Sequence, residues 1–418
     1  MRLMKQYVII GNGVAAAGCI EGIRSVDKDG KITVISEEKH PVYCRPLISY
    51  YLEGKTDREK MNYRGEDFYT ANGCEVIYGK KAVKIDKAAK KIELDDKSKL
   101  PYTSLCVATG SSPFVPPMEG LESVEKKFGF MTLDDTLALE KAVTKKSRVL
   151  IVGAGLIGLK CAEGLHGRAA SIVVADLADR VLSSILDKDC AAYMQECLEE
   201  NGIEFLLSDS VKKFDKNKAH MQSGKEVDFD VLVLAVGVRA NTALVKDAGG
   251  EVNRGIIVDE KLRTSIEDIY AAGDCTEGED ISLGAKRVLA LMPNAYMQGH
   301  AAGVNMAGGE ELFDKGIPMN SIGFFGLHCM TAGTAYTSEQ GGCTYEEKFD
   351  GGIKRLFTKG GLLTGFMIIG GSERAGIYTA MIREKTPLDS VNFEMLRKAA
   401  TSAAFGKEAR KEKFAMPH

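Results

Sequence analysis

A doubled glycine motif constrains this chain more than any other feature. Residues 7–10 form an apolar segment that runs into the first copy, and residues 149–152 run into the second. The motif positions are Gly11, Gly13 and Ala16 in the first copy and Gly153, Gly155 and Gly158 in the second. Glycines at this spacing, between a strand and a helix, let a pyrophosphate approach the backbone N–H groups at the helix N-terminus. One such motif is weak evidence because glycine-rich turns arise by chance, but its repetition predicts two dinucleotide sites.

Acidic residues follow the next apolar segment in both copies. They are Glu37 and Glu38 in the first copy and Asp176 in the second. A carboxylate at this place accepts hydrogen bonds from the adenosine ribose and, in the second copy, repels a 2′-phosphate. We therefore expect NADH rather than NADPH in the second site, although Arg180 is near enough in sequence to permit some use of NADPH.

Length and composition narrow the classes of function. The 418 residues carry a formal net charge of −3, which gives no strongly basic face for nucleic acid or an anionic membrane. No apolar stretch is long enough to span a bilayer, and Met1–Lys5 leads straight into a strand with no room for a signal peptide. Ten cysteines in a chain of this length fit reduced packing residues better than a disulfide framework. We expect a cytoplasmic protein without nucleic-acid or membrane partners, and we assign no metal site.

Breaks in the pattern divide the chain into three units. Strands and helices alternate up to the proline-rich segment at Pro113, and short strands with glycine pairs begin after residue 316. A helix rich in small residues is predicted from about Pro293 to Met306, and another begins at about Glu373. The predicted units are residues 1–113 together with 245–316, residues 114–244, and residues 317–418. The fold class is α/β, with two Rossmann-like dinucleotide-binding domains and a small C-terminal α+β domain.

Four motifs in one order carry a resemblance that spans nearly the whole chain. They are Gly11-x-Gly13, Ala108-Thr109-Gly110, Gly153-x-Gly155-x-x-Gly158 and Ala272-Gly273-Asp274. The chain resembles the FAD-dependent pyridine nucleotide oxidoreductases, in the branch of rubredoxin reductases, ferredoxin reductases, NADH oxidases and the flavin module of nitrite reductase. The resemblance implies that the first unit holds FAD, that the second holds NAD(P)H, and that the third is the small domain that often pairs two subunits.

The resemblance also implies roles for individual residues. Asp274 would accept hydrogen bonds from the ribityl chain, Arg45 would bind the FAD phosphates or adenine, and Ala82 would meet the adenine. The implied FAD contacts are Gly11, Asn12, Gly13, Val14, Ala15, Ala16, Glu37, Glu38, Arg45, Ala82, Ala108, Thr109, Gly110, Gly273, Asp274, Met292 and Ala295. The implied NAD contacts are Gly153, Gly155, Leu156, Ile157, Gly158, Asp176 and Gly237. Main-chain N–H groups near Met292 would face the flavin, whereas Ala295 fits a helix core equally well.

Departures from the family pattern separate its branches. The sequence has no Cys-x-x-Cys or Cys-x-x-x-x-Cys pair, so the dithiol of the disulfide reductases is absent. Cys44 lies near the place where single-cysteine NADH oxidases and CoA-disulfide reductases keep a redox thiol. Members of this branch often pair a glutamate with a lysine near flavin N5, and those positions are Lys160 and Tyr50 here. Two interpretations of Lys160 are open. A single cation beside a phenol would favour an anionic reduced flavin. Alternatively, Lys160 is a surface residue on the first turn of a helix.

These observations predict an FAD-dependent enzyme that takes hydride from NADH and passes electrons to a small iron protein or iron–sulfur partner. Two alternatives stay open. One is an NADH oxidase or CoA-disulfide reductase that uses Cys44, and the other is an FAD- and NADH-binding redox sensor that signals by dimerising. A homodimer is compatible with all three.

Overall fold

Two parallel sheets of the same design form the body of the computed structural model, which describes residues 5–371, 374–407 and 410. The elements of the first unit are β1 (Gln6–Ile10), α1 (Val14–Val26), β2 (Lys31–Ser36), α2 (Ile48–Glu53), α3 (Phe68–Ala71), β3 (Cys74–Tyr78), β4 (Ala82–Asp86), β5 (Lys91–Leu94), β6 (Lys99–Pro101) and β7 (Ser104–Val107). A short ribbon strand, β8 (Ser111–Pro113), then carries the chain out of this unit.

The second unit repeats the arrangement. Its elements are β9 (Lys127–Phe128), α4 (Leu133–Ala142), β10 (Arg148–Val152), α5 (Leu156–Leu165), β11 (Ser171–Ala175), α6 (Lys188–Glu200), β12 (Ile203–Leu206), β13 (Val211–Asp215), β14 (Lys218–Met221), β15 (Glu226–Asp228) and β16 (Val231–Leu234). The returning strand β17 (Val238–Ala240) pairs antiparallel with β8, so the chain leaves and re-enters the first unit through one two-stranded ribbon.

The chain then completes the first unit and forms the third. These elements are α7 (Ala243–Asp247), β18 (Ile256–Ile257), β19 (Ile269–Ala271), β20 (Thr276–Asp280), β21 (Ala285–Arg287), α8 (Met292–Ala307), β22 (Met319–Phe324), β23 (Leu327–Gly333), β24 (Gly342–Phe349), β25 (Gly352–Lys359), β26 (Leu362–Ile369), α9 (Gly376–Arg383) and α10 (Phe393–Lys398). Glu373, where the sequence predicts the start of a helix, and residues 411–418 lie outside the described residues.

The two parallel sheets match strand for strand. The first has the order β19-β7-β1-β2-β3 and the second β9-β16-β10-β11-β12. In the first, the Gly11 N–H donates to the Ile35 carbonyl at 2.8 Å, and in the second the Gly153 N–H donates to the Ala175 carbonyl at the same distance. Each glycine turn therefore leaves the carboxyl edge of its sheet at the same point, which confirms the predicted pair of Rossmann-like units. Their division at residues 113, 244 and 316 stays a prediction; Val245, just beyond the second boundary, packs in the first core.

The third unit is an antiparallel sheet, β22-β23-β26-β25-β24, with helices on one face. Its other face packs on the second unit, where Phe324 and Ile353 join the hydrophobic core of the second parallel sheet. Arg355 also donates to Asp187 and Asp189 at 2.5 Å, which ties β25 to the start of α6. Within residues 5–371, 374–407 and 410, no helix is both long enough and apolar enough to cross a lipid bilayer.

Helices α1 and α8 lie backbone to backbone through small residues. A Cβ at Gly299 would stand 2.0 Å from the Ala15 carbonyl oxygen, and one at Gly303 would stand 2.1 Å from the Cys19 carbonyl oxygen. Because real Cβ atoms do not approach backbone so closely, the two helices would have to separate to admit a methyl group. This contact positions the N-terminus of α8 beside the first glycine turn.

We expect Gly299→Ala to destabilise the protein by about 2–3 kcal/mol, since the clash is with backbone and cannot be relieved by a side-chain rotation. Thermal unfolding would show this as a fall in Tm of about 2–4 °C. Gly129→Ala is the matched control, because its Cβ would meet only Asp135 at an ordinary 3.6 Å. Equal Tm values for the two variants would contradict the close packing of α1 on α8.

Candidate active site

One cavity of about 2400 Å³ lies between the carboxyl edges of the two parallel sheets and reaches the third unit. Both glycine turns open into it, so both predicted dinucleotide sites are parts of one continuous space. Nearly all the residues that the sequence analysis named line its wall, including Lys160 and Tyr50. Four do not: Ala16, Gly158, Cys44 and Arg180.

The motif glycines divide into two physical kinds. Gly11 and Gly153 have φ of +110° and +119°, and a Cβ on either would stand 2.1–2.2 Å from the carbonyl oxygen of Ala108 or Ala235. A Cβ on Gly13 or Gly155 would instead meet nothing within 4 Å, although both residues line the cavity. The first pair is therefore required by the fold, and the second pair keeps space clear at a helix N-terminus.

The third motif position serves packing. Gly158 lies against the turn, where a Cβ would stand 1.9 Å from the Gly153 carbonyl oxygen, and Ala16 is fully buried in α1. This explains why neither lines the cavity. The cleared space above two helix N-termini, with backbone N–H groups at each, fits the pyrophosphates of FAD and NAD(H).

Asp176 braces the second turn. Its Oδ2 accepts from the Ala154 N–H at 2.6 Å and its Oδ1 from the Ala178 N–H at 2.8 Å. A carboxylate has lone pairs for further bonds, so Asp176 can fix the turn and still accept from a ribose. By strand register its counterpart in the first copy is Ser36, which is buried on the cavity wall and which the sequence analysis did not name.

The predicted acids of the first copy have different surroundings. Glu38 accepts from the Tyr43 hydroxyl at 2.7 Å and pairs with Arg45 at 2.8 Å. Arg45 also donates to the Met131 carbonyl at 2.6 Å, so its guanidinium is held in place on the wall. Glu37 has a side chain 68% exposed and pairs with Lys81. Of the two, Glu38 is the one with a fixed geometry.

Asp274 follows β19 at the centre of the cavity wall. Burial raises the pKa of its carboxyl, while Arg45 and the Ser111 hydroxyl act in the opposite direction. The preceding Gly273 donates its N–H to Gln298 of α8 at 2.7 Å, which fixes the turn against that helix. Gln298 has no motif around it in the sequence and was not foreseen.

The Ala295 N–H, which the sequence analysis considered for the flavin edge, donates to the Leu291 carbonyl inside the helix.

Lys160 has a partner that the sequence analysis missed. Its Nζ lies 2.5 Å from Oε2 of the buried Glu163 and also 2.5 Å from the Gly323 carbonyl oxygen. It lies 5.2 Å from the centre of the Tyr50 ring, so the cation and the phenol are neighbours, as the resemblance implies. The hypothesis of a single cation needs revision, because Glu163 compensates the charge. The only signal in the sequence is the spacing of three residues on one helix.

Glu163 further connects the site to the third unit. Its Oε1 accepts from the Phe325 N–H at 2.8 Å, in the turn between β22 and β23. The ring of Phe324 lies 4.6 Å from Lys160 Nζ on the same turn. Lys160 donates a hydrogen bond to the β22–β23 segment and Glu163 accepts one from it, so the two residues together hold this turn against α5.

Cys44 does not line the cavity. Its Sγ is 3.7 Å from Met292 Sδ, and burial raises the pKa of its thiol. A nucleophilic or redox thiol requires the thiolate, which burial in apolar surroundings disfavours. All ten cysteines lie among the described residues as free thiols, and none lines the cavity.

Comparison with known proteins finds relatives that match nearly the whole chain. Residues 5–299 match the family model described as pyridine nucleotide-disulphide oxidoreductase. The chain is 33% identical over 403 residues to an NADH oxidase of Methanocaldococcus jannaschii, covering 90% of this chain and 89% of that protein. It is 29% identical over 413 residues to the NADH-dependent phenylglyoxylate dehydrogenase subunit epsilon of Aromatoleum evansii, covering 96% of each. The putidaredoxin reductase in a covalent complex with putidaredoxin has the same fold, with a TM-score of 0.87 at 21% identity over 96% of this chain and 99% of that one.

Proposed function

Because the chain belongs to the pyridine nucleotide-disulphide oxidoreductase family and is an FAD-dependent NADH oxidoreductase, we propose that it exchanges electrons with an iron–sulfur partner protein. The observation that carries this proposal is a cavity with two dinucleotide turns and no thiol on its described wall. Electrons from NADH have no internal disulfide to reduce and must leave for an external acceptor. The relative from A. evansii bears the name of one subunit of a dehydrogenase, which favours a protein partner.

The residues of this chain act mainly by placing two rings together. FAD, when bound, supplies the centre that accepts hydride from NADH. The turns at Gly13 and Gly155 would hold the two pyrophosphates, and both turns open into one cavity. Asp274 and Arg45 supply an acceptor and a cation to the wall of that cavity. Proximity of this kind supplies much of the rate of a hydride transfer, and no acid or base is required.

The test of the proposal is steady-state oxidation of NADH by purified, FAD-loaded protein with a panel of acceptors. We expect rubredoxin or ferredoxin to support turnover about tenfold faster than oxygen or CoA disulfide does, a difference of about 1.4 kcal/mol in the barrier. Full turnover with oxygen alone would favour an NADH oxidase, as in the M. jannaschii relative. Slow reoxidation by every acceptor, with a change of assembly state on addition of NADH, would favour a redox sensor. Sedimentation of the same samples tests whether the chain forms a homodimer.

Cys44→Ser separates the thiol-based alternative from the proposal. We expect turnover with every acceptor to change by less than about twofold, because the thiol is off the cavity wall and its pKa is raised by burial. Cys74→Ser, at another partly buried thiol with a raised pKa, is the control for the effect of the substitution itself. A loss of turnover in Cys44→Ser alone would show that Cys44 takes part in the reaction.

A further inference from the structure

The internal repeat extends beyond the glycine turns to the adenosine end of each site. In the first copy, the chain after β3 passes through Gly79 with φ of +67°, and the next N–H, that of Lys80, donates to the Ser36 carbonyl at 3.0 Å. This segment then leads to Ala82, which lines the cavity.

The second copy has the same path with different side chains. After β12 the chain passes through Ser208 with φ of +54°, and the next N–H, that of Asp209, donates to the Asp176 carbonyl at 3.1 Å. Val211 then takes the place on the cavity wall that Ala82 has in the first copy. A left-handed conformation is unusual for serine, so the path is imposed by the repeat and not by the local sequence.

The pairs that occupy equivalent positions are therefore Ser36 with Lys80 in the FAD copy and Asp176 with Asp209 in the NAD copy. We infer that Asp209 is a second specificity-determining residue, which acts with Asp176 to exclude pyridine nucleotides that carry a 2′-phosphate. Both aspartates line the cavity at the ends of neighbouring strands. A 2′-phosphate entering there would meet two like charges, whereas the free hydroxyl of NADH carries none.

The Asp209 carboxylate is fixed and ionised. Its Oδ1 accepts from the N–H groups of Ser210 and Ser223 at 2.9 and 3.1 Å, and its Oδ2 accepts from the Ser223 hydroxyl at 2.5 Å. Burial alone would raise the pKa of this carboxyl, but the hydrogen bonds from Ser223 and Ser210 outweigh it and leave the pKa below its ordinary value. A negative charge is therefore present at this point throughout the neutral pH range.

Arg180 does not offset the two charges, and Lys225, which helps to lower the pKa of Asp209, does not line the cavity. Arg180, which the sequence analysis considered as a phosphate ligand, donates its Nε to the Leu186 carbonyl at 3.1 Å. Its Nη1 pairs with Asp179 at 2.7 Å, and its Nη2 lies 3.4 Å from the Ser183 carbonyl oxygen. The guanidinium is thus bound to its own loop and does not line the cavity.

Asp209→Asn tests the charge with little change in shape. Asparagine can accept from the two N–H groups through Oδ1 and donate to the Ser223 hydroxyl through Nδ2, so the hydrogen bonds at this position are retained. We expect kcat/KM for NADPH and the association constant for NADP⁺ each to rise about fivefold to tenfold, with the values for NADH and NAD⁺ changed by less than about twofold. Asp215→Asn, which removes the same charge at an exposed site off the cavity, should change none of them.

The same substitution in an Asp176→Ser background gives an independent measurement. Since both aspartates line the same end of the cavity, we expect Asp209→Asn in this background to raise the affinity for NADP⁺ by a similar factor. A second variant, Asp209→Ser, removes the charge without the amide and covers the case in which Asp209→Asn lowers Tm. Unchanged NADP⁺ affinity in both Asp209 variants, alone and in the Asp176→Ser background, would overturn the inference.

Discussion

Gly155→Val is expected to lower kcat/KM for NADH about a hundredfold or more while the protein stays folded and yellow. A valine Cβ at this position meets no protein atom within 4 Å, and the φ of −81° is one that any residue adopts. The side chain would instead fill the space kept clear for the second pyrophosphate. A steric conflict of about 3 kcal/mol with the ligand alone corresponds to a factor of about a hundred. Stopped-flow reduction by NADH measures the loss, and the visible absorption of the flavin confirms that the first site is intact.

Two further valine variants make the experiment specific. Gly13→Val should leave a folded protein that does not take up FAD, because Gly13 has the same open surroundings in the first copy. Gly153→Val should fail to fold, since its Cβ would stand 2.2 Å from the Ala235 carbonyl oxygen at a φ of +119°. If Gly155→Val were still reduced by NADH at the original rate, the second turn could not be a nucleotide site.

The sequence predicts those parts of the fold that short segments determine by themselves. A buried parallel strand is a run of apolar residues, and a pyrophosphate turn requires glycine, so both Rossmann-like units can be placed from residues 7–16 and 149–158 alone. Helix α8 also follows from local composition: the prediction of about Pro293 to Met306 compares with Met292–Ala307 in the structure.

The parts of the site that the sequence analysis missed depend on distant contacts. Glu163 occupies an ordinary helical position, and its burial results from the β22–β23 turn, about 160 residues further along the chain. Asp209 belongs to no motif, and a serine stands before it where the first copy has a glycine, so the repeat is visible only in the backbone path. Arg180 and Cys44 were considered for chemistry by position in the sequence, but neither lines the cavity. Whether a side chain reaches the cavity is decided by tertiary packing.

Lys160→Met should destabilise the protein by about 3–5 kcal/mol, because it leaves the Glu163 carboxylate buried without its cation. The two side chains are only 17% and 7% exposed, so water cannot replace the lost charge partner. The expected fall in Tm is about 4–6 °C. Lys60→Met is the matched control: Lys60 pairs with Asp57 at 2.6 Å, but the side chains are 76% and 53% exposed, and Tm should change by about 1 °C or less.

The double variant Lys160→Met/Glu163→Gln distinguishes a charge pair from simple packing. Removing both charges should restore most of the lost stability, since a neutral amide can still accept from the Phe325 N–H. Glu163→Gln alone keeps the Lys160 cation on the cavity wall without its counter-charge. We expect this variant to have a higher flavin midpoint potential than the wild type, because an uncompensated cation favours the more negative, reduced state. A double variant as unstable as Lys160→Met, together with an unchanged potential in Glu163→Gln, would show that the pair acts only through its shape.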